Sequence, residues 1–285
     1  MKPAPFVYHA PKTLEEAVAV LAEVAPEDGR VLAGGQSLVP TMAFRLARPA
    51  HLVDINQVAG LDRIAAGNDV LSIGACVRHA AFHRPVTAGP LGDLLAFVVR
   101  HIAHYPIRTR GTFCGSLAHA DPASEWCLVA ATLGGEIAAR SARGTRGIAA
   151  PGFFQGLMAT ALEDDELLEA AHLPILEADT RWGFYEFSRR AGDYALAMAL
   201  ATFRLENGRI VEPRLGLGGV EGSPRRIAEA EALLAGKPPE IGIFRQAAEA
   251  AAAAIDPLED IQASAEYRRD LVRAVARRAL ERAAA

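Results

Sequence analysis

Apolar residues recur at helical spacing over 14–24, where Leu14, Ala17, Val18 and Leu21 share one face. Thr13-Leu-Glu-Glu16 opens that stretch as a capping box, in which the Thr13 hydroxyl accepts from the Glu16 N–H and the Glu16 carboxylate reaches back. Pro26 and Gly29 close it. The short apolar runs at 30–33 and 51–55 read as buried strands on either side of a Gly-rich stretch and a short helix. That order predicts a small α/β unit.

Further along, 61–78 alternates apolar runs around a Gly67-Asn68 turn and reads as strands. The segment 89–103 has helical period and length. A second Gly-rich loop follows at 111–116, and the next helix is expected to open at Pro122 with Asp121 as its cap. Strands are predicted at 135–150 and 166–175. The polar stretch 175–182 suggests a boundary. Beyond it come strand-like runs over 183–220 with an Asn207-Gly208 hairpin signal. Helices are predicted at 225–235, 243–254 and 264–284, the last capped by Ser264. The expected division is 1–57, 58–176 and 177–285.

Composition narrows the function classes. The chain has 285 residues, 51% of them hydrophobic, and a formal net charge of -4. That length supports one large domain or two to three smaller ones, each with its own core. A pI near 6.1 argues against a general nucleic-acid binder, which would show a basic face. Arginines cluster at 140–146 and near the C-terminus, where the plain reading is a solvated face. No apolar run reaches the ~18 residues that span a bilayer. The segment MKPAPFVYHAPK lacks the apolar core of a secretory signal. Cys76, Cys114 and Cys127 are odd in number and widely spaced, so neither a disulfide framework nor a C-x-x-C metal motif is expected. No metal site is expected on this chain, and the expected setting is a reducing compartment.

Three stretches carry candidate chemistry. In Ala33-Gly34-Gly35-Gln36-Ser37, glycine permits positive φ and close backbone approach, and successive N–H groups can form a nest for phosphate oxygens. Gln36 and Ser37 add side-chain donors; an ordinary strand-to-helix turn is the competing reading. Neither G-x-G-x-x-G nor a P-loop is present there. The second stretch, RGTFCGSLAHADPASE (110–125), crowds Thr112, Ser116, His119, Asp121 and Glu125 around Gly111 and Gly115, before a helix start. Two such loops can hold the two halves of one pyrophosphate. The third, YEFSRRAGDYALA (185–197), reads as a hairpin edge whose Tyr194 can pack over a ring.

With these motifs in hand, the chain resembles the FAD-binding medium subunit of the molybdenum hydroxylases, the family of the carbon monoxide dehydrogenase flavoprotein and the xanthine dehydrogenase flavin domain. AGGQSLVPTMAFRLARPAHLVDI (33–55) and IRTRGTFCGSLAHADPASE (107–125) carry most of the resemblance. FSRRAGDYALA (187–197) and ASAEYRRDLVRAVARRAL (263–280) extend it over nearly the whole chain. It implies an α+β architecture with a PCMH-type FAD-binding fold: a small α/β piece, a larger α+β piece, and a C-terminal sheet covered by helices. It implies non-covalent FAD, with the molybdenum cofactor and [2Fe-2S] clusters on a large and a small partner subunit, in a dimer of heterotrimers. The backbone at Leu32, Ala33, Gly34, Gly35, Gln36, Ser37 and Leu38 would meet the cofactor. So would Thr112, Cys114, Gly115, Ser116, Ala118 and Asp121. Glu125 would bond the ribityl chain, and Ile102 and Leu168 would contact the isoalloxazine.

Two departures stand out. The family has Thr-x-Gly-Gly where this chain has Cys114 for the first glycine, so the contact there depends on Cys114 keeping φ negative. Glu186 stands near where xanthine dehydrogenase-like flavin domains place a lysine. No acid, base or nucleophile of the protein is assigned, because the cofactor does the redox chemistry. The expected role is an electron-transfer flavoprotein subunit, cytoplasmic or peripheral at the inner face of the membrane. A stand-alone flavin oxidase or dehydrogenase, with His119 or Cys114 joined to flavin, and a non-catalytic binding or assembly module remain alternatives.

Overall fold

A computed structural model describes residues 2–285, and its first sheet is wholly parallel. Strands β1 (Val7–His9), β2 (Gly29–Leu32) and β3 (His51–Asp54) lie in the order β1-β3-β2. Helix α1 (Leu14–Val24) packs across them through Ala17, Val18, Leu21 and Val24, and Thr13 and Glu16 make the capping box in full. The short helix α2 (Leu38–Ala43) links β2 to β3. Strand β1 escapes the hydrophobic pattern because its three residues are largely exposed and held by pairing with β3 and by the polar contacts Tyr8–Asp54 and His9–His51.

The second sheet is antiparallel, in the order β4-β5-β10-β6-β7: β4 (Ile64–Ala66), β5 (Val70–Gly74), β6 (Glu136–Ser141), β7 (Gly144–Ala149) and β10 (Leu167–Pro174). Helices α3 (Pro90–Val98), α4 (Tyr105–Arg108), α5 (Phe113–His119) and α6 (Glu125–Leu133) separate β5 from β6. The short α7 (Ala150–Phe153) and the hairpin β8 (Phe154–Gly156) and β9 (Ala159–Thr160) separate β7 from β10. Helix α6 is buried along its whole length, with Trp126 at 0% exposure among Phe82 and Phe113. One continuous core runs from α1 through both sheets.

The C-terminal sheet is antiparallel, β11-β12-β13-β14: β11 (Arg181–Phe187), β12 (Ala197–Glu206), β13 (Arg209–Gly218) and β14 (Arg225–Arg226). Asn207 and Gly208 both take positive φ in the β12–β13 turn, as the hairpin signal requires. Helices α8 (Ala228–Leu234), α9 (Ile241–Ala254) and α10 (Ala265–Ala284) cover it, with a second core of alanines and aliphatics beneath. At Gly183 a Cβ would stand 2.0 Å from the Ala279 carbonyl, so α10 lies directly on the β11 backbone.

The arginine clusters are not simply solvated. Arg143 pairs with Asp165 and Arg146 with Glu166. Arg268 on α10 is 4% exposed and donates to the carbonyls of Leu196 and Gly219 and to the Asp260 carboxylate, so it ties helix to sheet.

Candidate functional site

The three parts meet around a cleft of about 700 Å³. Leu32 through Leu38 form one wall and Thr112, Cys114, Gly115, Ser116, Ala118, Asp121 and Glu125 another. Ile102 and Leu168 add apolar surface, and Gly192, Asp193 and Tyr194 border it from the loop between β11 and β12. Every residue expected to meet the cofactor therefore borders one cleft, whereas Glu186 does not.

The first wall is an irregular turn leaving β2. Gly35 holds φ +71°, a conformation that a Cβ disfavours. The N–H groups of Gly35, Gln36, Ser37 and Leu38 find no acceptor among the described residues. Four such donors in succession make a concavity suited to an anion. The Gln36 side chain does not join them: its Nε2 donates to the Gly34 carbonyl at 3.1 Å and braces the turn itself.

The second wall corrects the predicted loop. It is the first turn of α5, with Thr112 as N-cap: Thr112 Oγ1 accepts from the Gly115 N–H at 3.0 Å. Gly115 is needed because a Cβ there would lie 2.6 Å from that same oxygen. Cys114 has helical, negative φ, so its side chain does not disturb the backbone. Its Sγ lies 3.4 Å from the Ile73 carbonyl, buried against β5, and burial pushes the thiol pKa far up. The expected helix start at Pro122 is also displaced. Asp121 Oδ1 accepts from the Ala123 N–H in a local turn, and α6 begins at Glu125.

The two walls touch at Gly34. A Cβ there would stand 2.4 Å from the Arg110 carbonyl oxygen and 2.7 Å from Gly111 Cα, so only glycine lets the backbones meet. Behind Gly111 sits His79, which sequence reasoning missed. Its Nδ1 accepts from Trp126 Nε1 at 3.0 Å. Burial, reinforced by Arg108 and Arg78, lowers its pKa to about 4. The ring is thus neutral near pH 7, with its proton on Nε2 at the cleft wall. No local sequence signal marks it, because its partner is 47 residues away.

A pair of buried carboxyls closes the far side. Glu125 opens α6 and borders the cleft; Glu186 comes from β11, and its Oε2 has no hydrogen-bond partner. Burial is the main cause that raises both above the usual carboxylate range, and the charge of Asp121 adds to it at Glu125 and that of Glu125 at Glu186. His101 Nδ1 is 3.8 Å from Glu186 Oε2, but burial and Arg282 lower its own pKa. A neutral imidazole at that distance from a protonated carboxyl is not an ion pair.

An elongated ligand with an apolar ring and an anionic middle suits this arrangement: free N–H donors on one wall, Ile102 and Leu168 on another. Among the described residues no helix is long and apolar enough to cross a membrane.

Comparison with known proteins agrees with that chemistry. Residues 4–176 match the FAD binding domain in molybdopterin dehydrogenase, and 182–283 the CO dehydrogenase flavoprotein C-terminal domain. The chain is 39% identical over 279 residues to the nicotine 6-hydroxylase medium subunit of Paenarthrobacter nicotinovorans, covering 98% of this chain and 97% of that one. Among solved structures, quinoline 2-oxidoreductase from Pseudomonas putida 86 superposes with a TM-score of 0.94 at 38% identity, covering 100% of this chain and 99% of that one. Carbon monoxide dehydrogenase from Hydrogenophaga pseudoflava gives 0.95 at 34%, covering 99% and 98%. The chain belongs to the family of FAD-binding medium subunits of molybdenum hydroxylases.

Proposed function

We propose that this chain holds FAD non-covalently in the cleft and carries electrons from [2Fe-2S] clusters of a small partner subunit to an external acceptor. Substrate is oxidised at the molybdenum cofactor of a large subunit, and the assembly is a dimer of heterotrimers in the cytoplasm or at the inner face of the membrane. Bound FAD supplies the chemistry, because it takes electrons singly and releases them singly or in pairs. The chain binds, orients and shields.

Its residues divide the work. The N–H groups at 35–38 and the first turn of α5, from Thr112 to Ser116, receive the diphosphate. Leu32 and Ala33 line the approach, with Ala118 and Asp121 at the edge of the cleft. Ile102 and Leu168 would contact the ring system. Glu125, at its raised pKa, can donate as well as accept, which suits a ribityl hydroxyl. We assign the boundaries 1–57, 58–176 and 177–285 to the two FAD-binding subdomains and the C-terminal domain.

The observation that carries this reading is the row of unpaired N–H groups at 35–38 facing the α5 first turn across the Gly34–Gly111 contact. Purification from the native host tests it. A yellow protein that releases its flavin into acid, together with a large molybdenum chain and a small Cys-rich chain, is expected. Colour retained by the acid precipitate would overturn non-covalent binding. A colourless protein that cannot be reconstituted would overturn the cofactor itself.

A further inference from the structure

A polar strut joins the two walls behind the cleft. Asp54 ends β3, and its Oδ1 accepts from the Asn56 N–H at 2.9 Å and from Asn56 Nδ2, which fixes the Asn56 side chain. That same Nδ2 donates to the Ala33 carbonyl at 2.8 Å. Asn56 Oδ1 in turn accepts from Arg78 Nη2. The other branch of the guanidinium, Nη1, donates to the Arg110 carbonyl at 2.5 Å. Carbonyl 33, amide 56, guanidinium 78 and carbonyl 110 thus form one chain of hydrogen bonds. Its ends are the peptide units that flank the Gly34–Gly111 contact.

The backbone at 77–79 already holds the second wall. The Phe113 N–H donates to the Val77 carbonyl, the His79 N–H donates to the Gly111 carbonyl, and residues 78 and 112 form an antiparallel bridge. Arg78 therefore rides on the second wall and reaches back to the first through Asn56. Neither side chain borders the cleft. Asn56 is exposed and Arg78 partly so, which makes a packing role small. A planar fork is required, because only a guanidinium presents two donors at fixed spacing to two separate acceptors.

We propose that Asn56 and Arg78 are positioning residues that set the spacing of the two walls, and through it the grip on the FAD diphosphate. The inference rests on the FAD reading given above. Without the strut the walls still touch at Gly34, but each is free to shift, and donors aimed at one diphosphate lose their shared register.

The test uses the full-length protein, isolated with whatever chains accompany it, stripped of flavin and titrated with FAD and with ADP. Asn56→Ala and Arg78→Met should each weaken both ligands about tenfold, with Arg78→Lys failing to rescue because it keeps charge but loses the fork. The double variant should lose about as much as either single variant, since both cut one path. The thermal midpoint of the flavin-free protein should move little. Unchanged affinity, additive losses, or losses accompanied by an equal fall in flavin-free stability for every variant would overturn the strut. Failure of the unaltered protein to take up FAD would instead overturn the cofactor reading.

Discussion

The wall at 33–38 and the wall at 112–116 line the same cleft, yet they are built by opposite means. The first is a turn with unpaired N–H groups, one glycine at positive φ and another pressed against a neighbouring backbone. The second is regular helix, with its cap satisfied by its own Thr112. An irregular wall depends on glycine for its shape, so any Cβ changes it. A helical wall depends on glycine only where the cap is crowded, at 115, and accepts Cys114 because that side chain turns inward to β5. Tolerance to substitution should therefore differ sharply between the two.

The largest effect is expected from Gly34→Ala. One added methyl would overlap the Arg110 carbonyl and Gly111, backbone atoms that cannot rotate aside. The walls must part, and FAD affinity should fall on the order of a hundredfold, or about 2.7 kcal/mol. Fluorescence titration of the flavin-free protein measures it; unchanged affinity would show that the walls need not touch.

Gly35→Val comes next. Here space is less the problem than conformation, since the nearest atoms are side-chain carbons of Val39 and Leu32 at 3.1 and 3.3 Å. Holding a Cβ at φ +71° costs about 1–2 kcal/mol, more for a branched side chain, so a loss of about tenfold to thirtyfold follows. Gly35→Asn should lose much less, because asparagine visits that region readily. Equal losses for Val and Asn would show that volume, not φ, decides.

How legible the molecule was follows from the range of each interaction. The capping box at 13–16, the cap at Ser264 and the Asn207-Gly208 turn rest on neighbours in sequence, and the structure contains all three. The two glycine segments were visible by composition. Their contact was not: Gly34 meets Arg110 and Gly111 only through the tertiary fold. The same holds for Asn56 with Arg78, His79 with Trp126 and Glu125 with Glu186. The misplaced start of α6 has a local cause, since an Asp can cap a helix or close its own turn, and Asp121 does the latter. Ile102 and Leu168 were named by family resemblance alone.

The buried carboxyls extend the comparison, because Glu125 opens α6, directly after the second wall. Glu125 and Glu186 are pushed up to about 7 and about 9, above the ordinary value of 4.5. At these two sites the folded protein binds more protons than the unfolded chain, an excess that His79 and His101, both lowered, offset below about pH 6.5 but not between about pH 7 and 9. Stability is fully present below the unfolded pKa and falls as pH rises through the folded values, by up to about 1.4 kcal/mol per unit for each extra proton. Urea unfolding of flavin-free protein at pH 7, 8 and 9, above the range of the lowered histidines, should show that fall. Glu186→Gln should flatten it and be the more stable form at pH 9. A variant with the parent's slope would mean that Glu186 ionises normally.

Cys114→Gly should change least at the cleft. It restores the family's glycine pair, yet the N–H of residue 114 already sits in a helical turn at negative φ, so FAD affinity should stay within about threefold. The cost should appear in the core instead. Losing a buried thiol and adding a glycine to a helix together remove about 1–2 kcal/mol of stability. Parallel titration and thermal melting separate the two quantities. A large gain in FAD affinity would mean that the Cys114 side chain crowds the cofactor, and that the second wall depends on glycine as much as the first.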